Sequence, residues 1–397
     1  MLDFMEHVRN AFYDASHWNL DNSYGTINAT ARALLDFQTP RGLRLQISSL
    51  AAPNFATSYT LGNVGVVDGS VSYLYSSLPL ERKLKSSELD LHNVIRGYRQ
   101  LRELRRPDED WWWEVWHNGK RVDRRVPNAD TLLYGRIFLP QSRLEALYLR
   151  RLTPTRQLRV NAVSDSNLNN GGTILTLLQN DYGKYSTEYM YSTDSALIGL
   201  RGLYNFGPDP RNAPTAPTTA QQAPEPMHGR FSAGAELYYG LLNKSGGIST
   251  GLRFATLPTH HGFPYTMTLT LNPLMGNLSS TYAVKAGPNL ALCTRFDFNF
   301  YSYESDLQLG CELWRRRSNT DVEWAIKKLR PDWKRPTVAP DDDVSGILKA
   351  RVDQHWRIGV LWEGRIKDLL FTLGASLDLK KREQIFRAVG IELQYSS

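Results

Sequence analysis

Three short stretches carry residue types that do chemistry in other proteins. Gly247-Ile248-Ser249-Thr250-Gly251 has the Gly-x-Ser-x-Gly spacing of a hydrolase nucleophile elbow. That elbow works because a sharp turn from strand to helix presents the serine hydroxyl to its base and oxyanion hole. Here alternating Leu252 and Phe254 follow, so a second strand comes next and the glycines read as a hairpin turn. His260 and His261 are adjacent, and neighbours on a strand point to opposite faces, so they do not jointly hold a metal. Asp341, Asp342 and Asp343 run together and lack the spacing of a calcium loop. Neither a phosphate loop nor a dinucleotide fingerprint is present. The expectation is a protein that is not an enzyme, with no catalytic residue, cofactor or metal.

Function must then lie in a surface, and the surface follows from the elements. The sequence has 397 residues and a formal charge of +7. The charge is spread along the chain and gathers in connecting segments. With no RNA-binding module signature around the Trp and Arg stretches, nucleic acid is not expected as a partner. Two cysteines, Cys293 and Cys311, exclude a disulfide scaffold. No run of about 18 apolar residues is found, which excludes a transmembrane helix. The first residues, with Asp3 and Glu6 and no apolar block, do not read as a secretory signal or a transit peptide.

The dominant pattern is alternation. From Asp368 to Leu379 the odd positions are Leu369, Phe371, Leu373, Ala375, Leu377 and Leu379, against Asp368, Thr372, Gly374, Ser376 and Asp378. Ile385, Val389, Ile391, Leu393 and Tyr395 share the next apolar row, which Arg387 interrupts. Leu43, Leu45 and Ile47 alternate with Arg44, Gln46 and Ser48, and the same grammar recurs at 231–239, 265–272 and 292–300. Segments of roughly ten alternating residues separated by turns are the signature of a transmembrane β-barrel. About nineteen such segments are expected from residue 41 onward, an odd number of the kind found in mitochondrial porin. A barrel made without a secretory signal is expected in the mitochondrial outer membrane.

Residues 1–40 precede the first strand. Phe4, Met5, Val8, Ala11 and Phe12 share one helical face, suited to packing on the barrel wall or in the lumen. Three stretches interrupt the strands. Residues 78–131 are charged, helix-like around Leu91, Val94, Ile95 and Tyr98, and then carry Trp111, Trp112, Trp113 and Trp116 before an Asn118-Gly119 turn suited to an extra hairpin. Residues 207–229 have the Pro, Ala, Thr and Gln content of a disordered segment. Residues 315–345 are dense in Arg, Trp, Pro and Asp. By strand count all three leave the barrel on one side.

Two aromatic rows are candidate contact surfaces. Tyr73 and Tyr75 lie on one outward row, and Phe296, Phe298 and Phe300 on another. Aromatic girdles at the headgroup level account for one or two such residues at a strand end. Three successive outward phenylalanines suit a protein-facing surface.

HVRNAFYDASHWNLDNSY (7–24), LLDF (34–37), GLRLQIS (42–48), GSVSYLYSS (69–77), YSYESDLQLGCELW (301–314) and GIELQYSS (390–397) closely resemble the fungal mitochondrial distribution and morphology protein 10 family. The resemblance runs from end to end. It implies a porin-like barrel of the mitochondrial outer membrane that belongs to two assemblies. One is the tether between endoplasmic reticulum and mitochondria, whose SMP-domain subunits move phospholipid. The other is the sorting and assembly machinery, which inserts barrel precursors and helps mature the TOM translocase. It also implies an insertion signal in the last strand, in which Gly390, Leu393 and Tyr395 fit and Ala388 stands in the polar slot. A porin-like metabolite channel is the alternative within the same fold.

Overall fold

The alternating segments form one sheet that closes on itself. The computed structural model describes residues 1–397 apart from 65, 81–84, 102–103, 105–113, 118–119, 124–129, 169, 208–227, 317–343 and 381–384. The chain opens with helix α1 (Phe4–Ala15), a 3-10 turn (Tyr24–Thr26) and α2 (Ala29–Leu35). Strands β1 (Gly42–Ala52), β2 (Phe55–Val64) and β3 (Val66–Ser76) follow. A short helix α3 (Leu91–Val94) and a separate hairpin of β4 (Glu114–His117) and β5 (Lys120–Asp123) come before the sheet resumes. It continues through β6 (Thr131–Leu139), β7 (Leu144–Thr153), β8 (Arg156–Ser164), β9 (Gly172–Asp181), β10 (Tyr185–Ser192) and β11 (Leu197–Asn205). Next come β12 (Gly229–Gly240), β13 (Ser245–Thr256), β14 (Tyr265–Asn272), β15 (Asn277–Lys285), β16 (Leu290–Asn299) and β17 (Ser305–Arg316). The last four are β18 (Val344–Asp353), β19 (Arg357–Ile366), β20 (Leu369–Asp378) and β21 (Phe386–Ser396).

Without the β4–β5 hairpin, the sheet has 19 strands. Neighbours are antiparallel all the way round until β1 meets β21, and that pair is parallel, with Gly42 opposite Gly390 and Ser48 opposite Ser396. The odd count forces this, because alternating directions bring the first and nineteenth strands round pointing the same way. It also sorts the ends. β3, β11 and β17 are the third, ninth and fifteenth barrel strands, so all three finish at one mouth, here called the long-connection mouth.

Alternation sets the two faces. On β20, Leu373 is 38% exposed on the outside while Thr372 is 3% exposed on the inside. Leu43, Leu45, Ile47, Tyr189, Leu200, Leu309 and Ile391 stand exposed on the outer wall in the same way. A continuous apolar band around a closed barrel fits hydrocarbon, not water. Among the described residues no helix is long and apolar enough to cross a membrane.

Two local readings are corrected. Arg387 does not sit in the outward row of β21. Ser376 pairs with Ala388 and Leu377 with Phe386, so Arg387 is the extra residue of a β-bulge, and Phe386 takes the outward place. β16 ends at Asn299, so Phe300 belongs to the following turn and not to the strand. Trp111, Trp112 and Trp113, the Asn118-Gly119 turn, Asp341–Asp343 and most of the Pro-rich and Arg-rich interruptions lie outside the described residues.

The apolar core sits inside the lumen. Phe4, Met5, Val8, Ala11 and Phe12 of α1 are buried against inward Ala56, Leu74, Leu132, Leu147 and Leu149. Leu34 and Leu35 of α2 pack on Ala283, Ala291 and Cys293. Leu89, Leu91, Val94 and Ile95 fold back into the barrel with Leu2, against Val344, Ile347 and Leu370.

Candidate functional site

Three features of the barrel can do work: the outer aromatic rows, the closing seam and the filled lumen. Tyr73 and Tyr75 project from the end of β3, at the long-connection mouth, 45% and 48% exposed. Their positions follow from the two-residue repeat that buries Ser72, Leu74 and Ser76 between them. Phe55, next to Tyr75 in register, stacks on Tyr73 with ring centroids 6.0 Å apart. Beside them lies an apolar groove of about 360 Å³ over β6, β7 and β8.

Phe296 and Phe298 project from β16, the fourteenth barrel strand. Even-numbered barrel strands run away from the long-connection mouth, so this row ends at the opposite rim. Phe300 in the turn meets Phe298 edge to face at 5.5 Å. The two rows are eleven strands apart one way round the barrel and eight the other. They therefore face different directions and different membrane surfaces. Sequence reasoning found both rows, but it had no means of placing Phe55 with the tyrosines.

At the seam, Leu393 lies opposite Leu45 and Tyr395 opposite Ile47, all on the outer wall. Gly390 faces inward, where residues leading into β1 cross it. A Cβ there would meet the backbone of Pro40 and Gly42 at 2.7 Å. Gly374, its partner on β20, lies under the Pro40 ring. Glycine at 390 thus has a structural reason that the strand pattern alone did not carry: it lets the N-terminal segment pass over the joint.

Polar pins hold the lumen contents. Asp36 takes two hydrogen bonds from Arg295, at 2.8 and 2.9 Å. Arg351 donates to the Leu35 carbonyl at 2.7 Å and Arg151 to the Ser16 carbonyl at 2.6 Å. Asn22 bridges Asp181 and Gly183, and Asn205 donates to its amide oxygen. The Tyr24 hydroxyl meets Ser249 at 2.8 Å, and burial pushes that phenol up, so it stays neutral. This contact also settles the Gly-x-Ser-x-Gly string, because Ser249 lies within β13 between two strands and no helix follows it.

The segment around α3 is pinned as firmly. Glu312 accepts from the Tyr98 amide at 3.3 Å, and Gly97 lies so close that a Cβ would meet a Glu312 oxygen at 2.7 Å. Lys349 donates to the Arg96 carbonyl and faces Glu363 at 3.8 Å. Arg365 donates to the Leu89 carbonyl at 2.8 Å. Buried charges persist only when paired, and here each pair also fixes a piece of backbone. These inward charges on three successive strands stand in the sequence and, beside the apolar face of residues 4–12, are a signal that something occupies the interior. A polar cavity of about 1010 Å³ remains between the N-terminal segment and the wall.

Among the described residues no three His, Cys, Asp or Glu side chains gather to hold a metal ion. His260 and His261 flank His228 with ring centroids 6.2 and 6.4 Å away, without a carboxylate or thiol completing a set.

Residues 1–339 and 325–397 match the sequence profile of the family described as Mitochondrial distribution and morphology protein 10. Proteins of that name are similar to this chain at full length. The one from Phaeosphaeria nodorum is 82% identical over 397 residues, covering 100% of both chains. Those from Sclerotinia sclerotiorum and Neurospora crassa are 61% and 43% identical, again over 100% of both.

Proposed function

Because the chain belongs to the mitochondrial distribution and morphology protein 10 family, a mitochondrial β-barrel family, we propose that it is an outer-membrane scaffold whose work is done by its outer wall. In this reading it holds the SMP-domain subunits of the tether between endoplasmic reticulum and mitochondria, and so serves phospholipid exchange and mitochondrial shape. It also joins the sorting and assembly machinery that inserts barrel proteins and matures the TOM translocase. One observation carries the reading. The lumen is filled by the chain's own N-terminal segment and by residues 85–101, while two aromatic rows stand on opposite walls at opposite rims. A protein so built offers surfaces, and well-separated surfaces let two assemblies use one barrel. Exposed aromatics bury large area with little entropy lost, which makes them binding hot spots. Tyr73 and Tyr75 are assigned to the tether, and Phe296, Phe298 and Phe300 to the assembly machinery.

Co-purification tests this. Each row is replaced by alanine, barrel levels are shown to be normal, and both sets of partners are measured. Selective loss of one set per row is the expected result. Loss of both sets in proportion to barrel loss would leave a simple aromatic girdle as the explanation.

The residual polar cavity favours a second reading, a narrow metabolite channel. Planar-bilayer recording separates the two. The scaffold reading expects little steady conductance, and a large porin-like conductance would favour the channel.

A further inference from the structure

The groove beside Tyr73 has a floor, walls and a charged rim. Its floor is a cross-strand row of small residues: Gly135 pairs with Ala146, and Ala146 with Ala162. All three face outward, and a Cβ built at Gly135 would meet nothing within 4 Å. Tyr73 pairs with Gly135 and closes one end of the row. Tyr75, Leu133 and Tyr148 stand along the side nearer the long-connection mouth. Tyr73, Tyr75, Leu133 and Tyr148 rise beside this row, so the trough is a walled recess in the outer surface; Gly202 and Ala235 make a second small-residue row on β11 and β12.

Toward the same mouth, β7 carries Arg150 two residues beyond Tyr148, exposed and outward. Arg156, the first residue of β8, is exposed on the same face. Neither has an acidic partner among the described residues. From Ala146 to Arg150 is four strand residues, roughly 13 Å along the strand at about 3.3 Å each. With strands tilted by roughly 35–45°, the trough lies about 10 Å below Arg150, and Ala162, six residues from Arg156, lies about 15 Å below it. One leaflet of hydrocarbon is about 15 Å deep. An acyl chain lying in the trough therefore leaves its phosphate at the guanidinium groups.

From this geometry we propose that the outer wall of β3 and β6–β8 is a site for one anionic membrane phospholipid, its phosphate held by Arg150 and Arg156 and one chain seated over Gly135, Ala146 and Ala162. The site needs only the membrane-facing wall. It does not depend on either protein assembly, so a partner-free measurement tests it alone.

The full chain is purified in detergent and titrated with dioleoyl phosphatidic acid or dioleoyl phosphatidylcholine by native mass spectrometry. Phosphatidic acid is expected to bind at least tenfold more tightly, a difference of about 1.4 kcal/mol or more. Arg150→Gln with Arg156→Gln should remove that preference. Ala146→Phe, which fills the trough, should weaken both lipids, and Ala162→Leu serves if that variant fails to fold. Ala235→Phe, an outward small residue on β12, should change nothing. Heat-modifiable gel migration reports that each barrel is closed. Equal binding of the two lipids by the native chain would overturn the headgroup site. Unchanged binding in the trough-filling variants would overturn the chain site. A photoreactive residue at position 146 that links to protein instead of lipid in intact mitochondria would give the groove to a protein partner and overturn the proposal.

Discussion

The outer wall and the lumen are made from the same strands, one residue apart, yet they are opposite kinds of surface. Outward positions carry Leu, Ile, Tyr and Phe that meet at most a neighbour on the same wall, as Phe55 meets Tyr73, and are otherwise covered by whatever surrounds the barrel. Inward positions carry Gln157, Lys349, Glu312 and Glu363, each almost fully buried, beside apolar patches that receive the helices. The comparison teaches that burial and apolarity come apart in this protein. Its buried charges are the specific part, because each holds a piece of backbone at one place. Its exposed apolar residues are the generic part, except where small residues or aromatic rows break the band.

The largest effect should come from putting a charge on the wrong face. Leu373→Lys places an ammonium in hydrocarbon near mid-membrane and should cost about 2–4 kcal/mol. Thr372→Lys, one residue away, points into the lumen near Glu363 and Glu392 and should be tolerated. Urea unfolding of the two variants in lipid vesicles checks this, and equal effects would mean the faces are wrongly assigned.

The seam is where both surfaces must close together. Gly390→Leu meets the Pro40 and Gly42 backbone from the lumen side and should destabilise by roughly 1–3 kcal/mol or prevent closure. Leu393→Asn with Tyr395→Asn attacks the same joint from the lipid side and should block membrane integration while leaving import across the outer membrane intact. Carbonate-resistant integration at the native level in both variants would refute the importance of this joint.

A smaller effect is expected at a lumenal pin. Asp36→Asn weakens the paired hydrogen bonds to Arg295, and because Asp36 is partly exposed the loss should be about 1 kcal/mol. The outer wall should be untouched. A cysteine introduced at Ala33 should become more accessible to a membrane-impermeant thiol reagent, while barrel unfolding barely moves. An unaltered labelling rate would show that packing of Leu34 and Leu35 holds α2 without the ion pair.

The smallest effect on stability should come from Tyr73→Ala with Tyr75→Ala. Both rings are exposed, so the barrel should lose less than about 1 kcal/mol, while a hot-spot partner contact should lose about 2 kcal/mol. A stability loss as large as the binding loss would return these residues to the general apolar band.

Much of this was legible in the residues. Alternation of period two depends only on backbone geometry, so about nineteen strands, each with an apolar and a polar face, could be read from the order of residues alone. Odd parity then dictates the parallel seam and puts the third, ninth and fifteenth strand ends at one mouth. The apolar stripe of α1 announced that something must cover it. What the sequence left open were contacts between residues far apart in the chain. The bulge at Arg387 depends on how β20 and β21 pair, so a broken row was all that showed. Gly390 read only as part of an insertion signal; that the chain at Pro40 crosses it shows only in the folded barrel. Residues 85–101 read as a charged interruption because their partners, Glu312, Lys349, Val344 and Ile347, lie more than two hundred residues away. The trough needed Gly135, Ala146 and Ala162 in one register. Local periodicity is a property of neighbours and survives in one dimension. Closure, plugging and recesses are set by which distant strand lies beside which, and only the folded barrel decides that.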